Sequence, residues 1–344
     1  MRSRRLPRCG LPRTPSDRDA GAAGPRAGAA YGGCAIVDLP LPETREGEAL
    51  IRVRAAALNF PDLLMTRGEY QLKPPLPFVL GMEAAGEIVS APEESGFAVG
   101  DGVVAGTRLG GFAEHAAVPL ASLRRLPDGV SYETGAAFGS AYPTAWVALI
   151  ELGQLRAGQW VLVHGAAGGV GLAAVDLAKA LGARVIVASA SADKLAVVEA
   201  EYAPDATVVA HGRFREAVAE ITRGALADLV YDPVGGDVFD ESTRCVAFGG
   251  KLLVVGFTSG RIPEISANIP LIKGFSVVGV RAGEYSRRFP ERGAAIRDET
   301  LRLLGEGRIK PRVDRVLPLS RWRDGFDAMA NREVVGKVVF VPGA

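Results

Sequence analysis

The sequence predicts an α/β protein that combines a doubly wound parallel sheet with a smaller, barrel-like β domain. Two observations predict the parallel sheet. A glycine-rich turn joins an apolar strand to a helix within residues 160–182, and strands alternate with helices from there to about residue 280. A third observation, a series of short glycine-punctuated β segments from Phe78 to about Pro119, predicts the irregular barrel.

Length and composition limit the classes of protein to consider. At 344 residues the chain is long for one core, so two domains are expected. A formal net charge of +1 and the lack of a long apolar run favour neither nucleic acid nor a membrane as partner. The scattered cysteines Cys9, Cys34 and Cys245 imply no disulfide framework or zinc cluster, which fits a cytoplasmic location.

Residues 1–33 do not have the pattern of a domain. They are rich in Arg, Gly, Ala and Pro and show neither a helical nor an alternating period. We therefore expect a disordered or aberrant N-terminal segment: a tail, a start placed too far upstream, or a reading-frame error. An organelle transit peptide is the alternative, although serine is scarce and no amphipathic helix forms.

The first domain begins with β patterning at Cys34. Residues 49–56 alternate apolar and basic side chains, as a half-buried strand does. Pro61 then suits the first turn of a short helix. Helical patterning over 132–149 leads into the second domain.

The second domain opens with the apolar strand 161–163 and a glycine cluster. In register, Ala166–Gly171 reads as G-x-G-x-x-G with alanine in the first position. Gly168 allows the backbone to approach a pyrophosphate, the amides at the helix start meet its charge, and Gly171 lets the helix pack closely on the strand. This context of strand, turn and helix predicts a dinucleotide-binding site.

The next strand, 184–188, predicts which nicotinamide cofactor binds. NAD-binding proteins place an acid at the carboxyl end of this strand to hold the ribose 2′-hydroxyl, and residues 188–191 contain none. Ser189 and Lys194 instead offer space and a cation to a 2′-phosphate, so the pattern favours NADPH. Two alternatives stay open: Lys194 as a solvated lysine in a helical first turn, and Asp193 as a ribose ligand.

Strands at 228–232, 250–256 and 275–280 continue the parallel sheet. Beyond residue 283 the pattern becomes helix 294–304, strand 313–317, helix 321–330 and strand 336–341. These last strands have no nearby partners, so we expect them to return to the first domain. The predicted domains are 34–140 with 284–344, and 141–283.

Several segments spread over the chain resemble one known superfamily. They are AALNFPDLL (55–64), RGEYQLKPPLPFVLGMEAAGEI (67–88), VGDGV (99–103), GGFAEH (110–115), VLVHGAAGGVG (161–171), DPVGGDVF (232–239) and VVGKVVFVP (334–342). Over about residues 40–344 the chain resembles the medium-chain dehydrogenase/reductase superfamily, and within it the zinc-independent NADPH:quinone oxidoreductases of the zeta-crystallin-like family. The resemblance implies a GroES-like catalytic domain and a Rossmann domain that binds NADPH.

The resemblance also bears on metal chemistry. Zinc-dependent relatives carry Gly-His-Glu where this chain has Gly81-Met82-Glu83, and a cysteine near the position of Ala57. Methionine does not replace imidazole as a ligand of Zn²⁺, so no metal site is expected and Glu83 is interpreted as a structural residue. The chemistry that this leaves is direct hydride transfer to an electron-poor acceptor such as a small quinone or an enone.

The resemblance implies a set of site residues. Asn59 would donate its amide to an acceptor oxygen or the nicotinamide ribose, Asp62 would orient that site, and Tyr70 would line the substrate mouth. Asp62 is equally a carboxylate near a helix start, and Tyr70 a half-buried loop aromatic. The implied cofactor contacts are Tyr142, Thr144, Ala167, Gly168, Gly169, Val170, Gly171, Ser189, Lys194, Gly256, Phe257, Thr258 and Lys337.

Three functions remain in competition. The main hypothesis is an NADPH-dependent quinone reductase. The second is an enone or enoyl-thioester reductase with the same fold and cofactor, and the third is a catalytically weak NADPH-binding structural or regulatory protein. Relatives are commonly homodimers, and the edge strand near 275–280 is the expected contact.

Overall fold

The structure, a computed structural model, describes residues 6–9, 31 and 33–343. The chain divides into two compact units, Met1–Ser140 with Val313–Ala344, and Ala141–Arg312. The predicted fold class, a GroES-like β unit and a Rossmann-like parallel-sheet unit, is confirmed.

The elements follow in chain order. The first stretch contains β1 Leu6–Cys9, β2 Cys34–Val37, β3 Glu48–Ala57, α1 Phe60–Thr66, β4 Phe78–Val79, β5 Glu83–Ser90, β6 Gly102–Gly106, β7 His115–Pro119, β8 Leu123–Arg125 and α2 Tyr132–Phe138, with 3₁₀ turns at Glu93–Ser95 and Leu120–Ser122. The middle stretch contains α3 Ala141–Trp146, a π-helical turn Val147–Leu152, β9 Trp160–His164, α4 Gly169–Ala180, β10 Arg184–Ser189, α5 Ala192–Tyr202, β11 Ala206–Val209, α6 Arg215–Ile221, β12 Ala227–Asp232, α7 Gly236–Ser242, β13 Val246–Val254, α8 Asn268–Lys273, β14 Ser276–Gly279, α9 Ala282–Arg288 and α10 Pro290–Gly305. The last stretch contains β15 Val313–Pro318, a 3₁₀ turn Leu319–Arg321, α11 Trp322–Ala330 and β16 Lys337–Val341.

The main sheet of the first unit has the strand order β15-β16-β3-β5-β6-β8 among the described residues, and β7 also pairs with β3. Strand β3 forms because its apolar residues, such as Ile51 and Val53, are buried while Arg52 and Arg54 are exposed. Strand β16 pairs with it antiparallel, Val339 beside Ala57. The last strand of the chain therefore completes a sheet begun near residue 48, which is the return that the sequence predicts.

The N-terminal segment differs from the expectation. Strand β1 pairs antiparallel with β2 and with β4, and Tyr31 is buried in the core of the first unit, 5.8 Å from the Trp322 ring and 5.5 Å from the Phe326 ring. Excluding all of residues 1–33 from the fold was therefore wrong for these five residues. Strand β1 could not be predicted from the sequence, because its four residues include a proline and do not alternate between apolar and polar side chains. Residues 1–5, 10–30 and 32 lie outside the described residues.

The cysteine pattern also needs correction. Cys34 is disulfide-bonded, a bond that the scattered spacing of the cysteines did not indicate, although it implied only the lack of a disulfide framework. Cys245 is a free, buried thiol. The disulfide removes the support that cysteine usage gave to a cytoplasmic location.

Within residues 141–312, all of which are described, six parallel strands form one sheet in the order β11-β10-β9-β12-β13-β14. Counted from β9, this is the order 3-2-1-4-5-6 of the doubly wound dinucleotide-binding fold. The strand β9 is buried along its whole length, which is why it appears in the sequence as an uninterrupted apolar run.

The second boundary between the units lies at Val313 and not at residue 284. Helices α9 and α10 pack on each other and on α3, so residues 284–312 belong to the parallel-sheet unit. The change of pattern after 283 marks the end of the sheet, not the end of the unit. Among the described residues, no helix has the length and the apolar character that crossing a bilayer requires.

Substitution of one glycine in the first unit, Gly86, tests how closely β5 approaches β3. A Cβ atom on Gly86 would lie 2.0 Å from the carbonyl oxygen of Arg52, whereas one on Gly106 in β6 would meet only the Ser122 Cβ at 3.9 Å. We expect Gly86→Ala to lower the free energy of unfolding by about 3 kcal/mol or more and Gly106→Ala to change it by less than about 1 kcal/mol. Urea denaturation measures both, and equal effects would contradict the close approach.

Candidate functional site

The glycine turn after β9 leads into a helix start that is suited to an anion. Helix α4 begins at Gly169 with Gly168 as N-cap, and its first turn contains neither a side-chain cap nor an acidic residue. The first amides of a helix have no partner within the helix. The amides of Gly169, Val170 and Gly171 are therefore suited to hold a pyrophosphate.

One close approach in this turn requires glycine, at Gly171, and a second, at Gly168, leaves little room for a side chain. A Cβ atom on Gly171 would lie 2.2 Å from the carbonyl oxygen of Gly165, and one on Gly168 would lie 3.3 Å from the same oxygen. The turn is thus closed by backbone against backbone. Ala167, predicted as a cofactor contact, is buried within the same turn.

The strand order reverses between β9 and β12, and doubly wound folds bind their ligand at this point, beyond the carboxyl ends of the strands. A Cβ atom on Gly165 would approach Pro233 and Val234 to 3.3 Å, so the loops after the two strands touch. The loop after β13 joins them, because the Thr258 amide donates to the Pro233 carbonyl at 3.1 Å. The predicted residues Gly256, Phe257 and Thr258 therefore lie beside the switch point.

Asp232 is the last residue of β12 and is fully buried, with 0% of its surface exposed. Its Oδ1 atom accepts hydrogen bonds from the amides of Val234 (2.8 Å) and Gly235 (2.9 Å) and so shapes the loop. Its Oδ2 atom is buried and has no hydrogen-bond partner among the described residues.

His164 is the last residue of β9 and is 1% exposed. Its Nε2 atom lies 2.8 Å from the Ser242 Oγ, its ring lies 5.0 Å from the Phe214 ring, and its Nδ1 atom has no partner among the described residues. Burial lowers the pKa of His164 to about 3, so the imidazole is neutral. His164 thus fastens the glycine turn to α7.

The predicted 2′-phosphate residues lie at the end of β10. Ser189 ends the strand, and Ser191 caps α5 by accepting the Lys194 amide at 3.3 Å. Lys194 is half-buried in the first turn of α5. The structure therefore brings Ser189 and Lys194 to the two sides of one strand-to-helix turn.

Tyr142 and Thr144 lie on α3, and the structure gives the tyrosine a structural partner. The Tyr142 hydroxyl, 2% exposed, donates to the Asp176 carboxylate on α4 at 2.5 Å, and the Lys310 amide donates to the same carboxylate at 2.5 Å. Burial raises the pKa of Tyr142 well above its usual value. Thr144 is half-buried.

The first unit contains a buried charged network. The Lys337 ammonium donates to the Glu83 Oε1 at 2.8 Å and to the Asn59 Oδ1 at 2.7 Å, and the Asn59 amide donates to the same Glu83 oxygen at 2.8 Å. The Lys337 and Glu83 side chains are 6% and 2% exposed. The structure thus places Lys337, predicted as a cofactor contact, with Asn59 and Glu83.

Asn59 has no amide hydrogen left over in this arrangement. One goes to Glu83 and the other to the Ala57 carbonyl at 3.3 Å. The predicted donation to a substrate oxygen would therefore require this side chain to give up a protein partner.

Glu83 and Asp62 anchor neighbouring backbone. The second oxygen of Glu83 accepts the Ser140 amide at 2.5 Å. Asp62 accepts the amides of Asn59 (2.9 Å) and Gly81 (3.1 Å), and burial raises the pKa of its carboxyl to about 7 in spite of these bonds. Tyr70, the third predicted catalytic residue, is half-buried and packs against the core of the first unit.

Within the described part of the chain, no cluster of three or more His, Cys, Asp or Glu side chains is placed to hold a metal ion. At the position where a zinc ligand would stand, Met82 offers a thioether. The oxygens of the adjacent Glu83 are occupied by donors from Lys337, Asn59 and Ser140.

Comparison with known proteins decides the family. Residues 45–128 match the alcohol dehydrogenase GroES-like domain model, and residues 169–297 match the zinc-binding dehydrogenase model. A quinone oxidoreductase-like protein 2 homolog of Nematostella vectensis is 38% identical over 84% of this chain and 80% of its own length. The chain belongs to the medium-chain dehydrogenase/reductase superfamily. It is an oxidoreductase of that superfamily and quinone oxidoreductase-like within it, so the predicted family is confirmed.

Three further proteins are similar to this chain over nearly its whole length. A quinone oxidoreductase of Pseudomonas aeruginosa is 34% identical over 91% of this chain and 98% of its own length. A probable oxidoreductase from Mycobacterium abscessus has a TM-score of 0.86 at 33% identity and covers 99% of each chain. The quinone oxidoreductase from Thermus thermophilus, solved also in complex with NADPH, has a TM-score of 0.79 at 32% identity and covers 98% of this chain and 99% of its own.

Sequence reasoning missed the partners that hold this oxidoreductase's site residues. Lys337 and Glu83 are 254 positions apart, and no local pattern connects them. Ser242 and Asp176 are further examples, each an ordinary polar residue in a helix. The segment DPVGGDVF was noted as a family motif, but the anchoring role of Asp232 depends on the structure.

The buried ion pair can be tested by stability. Lys337→Met removes the ammonium and leaves the Glu83 charge buried, so we expect a loss of about 3–5 kcal/mol in the free energy of unfolding. Arg54→Met, which breaks the exposed pair with Glu87, should cost less than about 1 kcal/mol. Combining Lys337→Met with Glu83→Gln should recover part of the loss. A Lys337→Met protein as stable as Arg54→Met in urea would contradict the pairing.

Proposed function

We propose that this chain is an NADPH-dependent oxidoreductase that transfers hydride to quinones or related electron-poor carbonyl acceptors without a metal. The observation that supports it most is the turn Gly165–Gly171, which is closed by backbone alone at the switch point of a parallel sheet. The NADPH complex of the similar Thermus thermophilus quinone oxidoreductase supports the choice of cofactor.

The parallel-sheet unit would bind the cofactor. The amides at the start of α4 would hold the pyrophosphate, and Ser189 and Lys194 would receive the 2′-phosphate. Gly256, Phe257 and Thr258 would contact the nicotinamide end. NADPH supplies the hydride, and the chain's residues bind and orient the reactants.

Acceptors of this class need no Lewis acid. A quinone that takes a hydride and one proton becomes a hydroquinone, and its carbonyl oxygens need only a hydrogen-bond donor or water as the source of the proton. Met82 and the occupied oxygens of Glu83 form a donor set that does not suit Zn²⁺. This donor chemistry supports a reaction without metal.

The first unit would bind the acceptor. Of the three predicted catalytic residues, Tyr70 is the most exposed and is proposed to contact the acceptor directly. Asn59 and Asp62 are buried and their polar atoms are occupied, so we assign them positioning roles.

A second candidate is an enone or enoyl-thioester reductase. A segment of the polyketide synthase GfsB of Streptomyces halstedii is 37% identical over 302 residues, covering 87% of this chain and 5% of that protein. The two candidates share the fold and the cofactor and differ in the acceptor. The third possibility, a catalytically weak NADPH-binding protein, predicts binding without turnover.

An acceptor assay separates these functions. We expect NADPH oxidation, followed by absorbance, to be fast with benzoquinone and at least about tenfold slower with crotonyl-CoA, because the thioester is the less electron-poor acceptor. A preference for crotonyl-CoA would favour the second candidate. Tight NADPH binding with no turnover of either compound would favour the third.

The cofactor assignment is tested at Lys194. If its ammonium meets the 2′-phosphate, Lys194→Ala should weaken NADPH binding by about tenfold or more and leave NADH binding nearly unchanged, since a charge-assisted bond contributes about 1.5–3 kcal/mol. A fluorescence titration with both cofactors measures this. Lys179→Ala, which removes an ammonium paired with Asp205, is the matched control. Equal loss for both cofactors would contradict the role.

We also propose a homodimer formed through β14. This strand is the last in the sheet order within residues 141–312, and the nearby side chains of Phe248, Leu271 and Ile272 are 89%, 81% and 74% exposed. A second copy would pair with the strand edge and cover these apolar side chains. Sedimentation should give a dimer for the wild type and a monomer for Leu271→Asp combined with Ile272→Asp. A monomeric wild type would contradict the proposal.

A further inference from the structure

Two buried titratable side chains end the two strands at the switch point. The last register pair between β9 and β12 is Val163 beside Tyr231, so the next residues, His164 and Asp232, are neighbours on one face of the sheet. Both side chains are almost fully buried. Gly165 and Pro233 follow them directly, so these two residues fix the start of both loops that would surround the cofactor.

Within the part of the chain that the structure describes, His164 has a hydrogen-bond partner on one ring nitrogen only. The Ser242 hydroxyl lies 2.8 Å from its Nε2 atom and 2.7 Å from the Val238 carbonyl, and the one hydroxyl hydrogen can go to either. The Nδ1 atom of His164 is buried without a partner among the described residues.

Asp232 has one carboxylate oxygen with donors and one without. Its Oδ1 atom receives two amides, and its Oδ2 atom receives none from the described residues. A buried carboxylate oxygen without a donor is costly, and a proton on Oδ2 would remove its charge. An ionised Asp232 would also place a buried negative charge at the switch point, where the pyrophosphate is proposed to bind.

We propose that Asp232 is a neutral carboxylic acid in the NADPH complex, and that NADPH binding draws a proton onto its Oδ2 atom. This inference depends on the cofactor site proposed above. Asp232 is thus a positioning residue: its Oδ1 atom holds the 233–235 loop in both protonation states, and its proton removes the repulsion between carboxylate and pyrophosphate.

The groups around Asp232 are compatible with a neutral acid. Strand β9 contributes the neutral His164, and β13 contributes Val254 at the neighbouring position. On α7 and the loop after β13, Asp237 and Asp240 pair with Arg261. Glu241 lies 3.9 Å from Arg244. The described residues include no cation in a hydrogen bond or ion pair with Asp232.

The remaining influences on Asp232 are burial and the backbone. Burial raises the pKa of the Asp232 carboxyl, and the amides of Gly235 and Val234 only partly oppose this. Tyr231, on the same strand, is neutral because burial raises its pKa. A nearby pyrophosphate would raise the pKa of Asp232 further. At a pH between the pKa of Asp232 in the free protein and its pKa in the complex, NADPH binding therefore takes up a proton.

The sign of the pH dependence follows from this. NADPH affinity should fall as the pH rises above the pKa of Asp232 in the free protein, by at most about tenfold per pH unit, the limit for one proton. Asp232→Asn keeps an oxygen for the two amides and places a donor at the Oδ2 position, so it imitates the neutral acid. This variant should bind NADPH about as tightly as the wild type at low pH and more tightly at high pH.

Calorimetric titration of NADPH into the full chain, in buffers of different ionisation enthalpy from about pH 6 to about pH 9, measures proton uptake directly. The wild type should take up as much as one proton, and Asp232→Asn should take up less than the wild type wherever the carboxyl titrates. Protonation of the 2′-phosphate is common to both and cancels in the difference. Asp205→Asn, which removes a carboxylate at the amino end of β11, is the control and should behave as the wild type.

The outcomes are distinguishable. Wild-type binding without proton uptake at any pH would overturn this inference and leave the cofactor site standing. Identical uptake in Asp232→Asn, or a tenfold loss of its affinity at all pH values, would also overturn it. A wild type that binds no NADPH would refute the proposed cofactor site itself. If Asp232→Asn fails to fold, wild-type binding without proton uptake still overturns the inference, and proton uptake when the wild type binds NADH, which has no 2′-phosphate, supports it.

Discussion

The backbone contact between the start of α4 and the end of β9 is the constraint on which the parallel-sheet unit depends. Gly171 approaches the Gly165 carbonyl so closely that even a methyl group would collide with it. Because the helix starts this close to the strand, its free amides lie at the carboxyl edge of the sheet. The loops after β12 and β13 then close on the same turn through Pro233 and Thr258. The result is an edge of backbone amides suited to an anion.

The first unit depends on a buried ion pair, Lys337 with Glu83, and not on a glycine turn. Glu83 receives donors from Lys337, Asn59 and Ser140, which lie on or beside β16, α1 and α2. Such a pair adds little net stability over an apolar core, yet its geometry is demanding. The network therefore fixes how three distant segments meet. The contacts of Glu83 with Lys337, Asn59 and Ser140 agree with the structural role that the family resemblance implies for it.

The sequence was informative wherever a local period or motif exists. The buried runs of the parallel strands, the alternation of β3 and the glycine turn all follow from short-range patterns, and each lies close to its predicted position. The boundary at Val313 was missed because α10 belongs to its unit through packing on α3, which has no signature in the chain.

The candidate site was less predictable than the fold. Residue types in a family motif indicate which side chains matter, but not what they contact. Asn59 was expected to offer its amide to a substrate, and the structure gives both hydrogens to protein oxygens. Tyr142 was expected near the nicotinamide, and its hydroxyl is bound to Asp176. In each case a partner far away in the chain settles the geometry.

The second unit is inserted between the two segments of the first unit in the chain, and this affects folding during synthesis. Residues 141–312 are contiguous, so the nascent chain can fold this unit before residues 313–341 have left the ribosome. The earlier unit lacks β15 and β16 until those residues emerge, and Glu83 meets its ammonium partner only then. The usual order of vectorial folding, first domain first, is thereby reversed. A released chain that ends just before Lys337 would therefore carry a complete second unit attached to an open sheet.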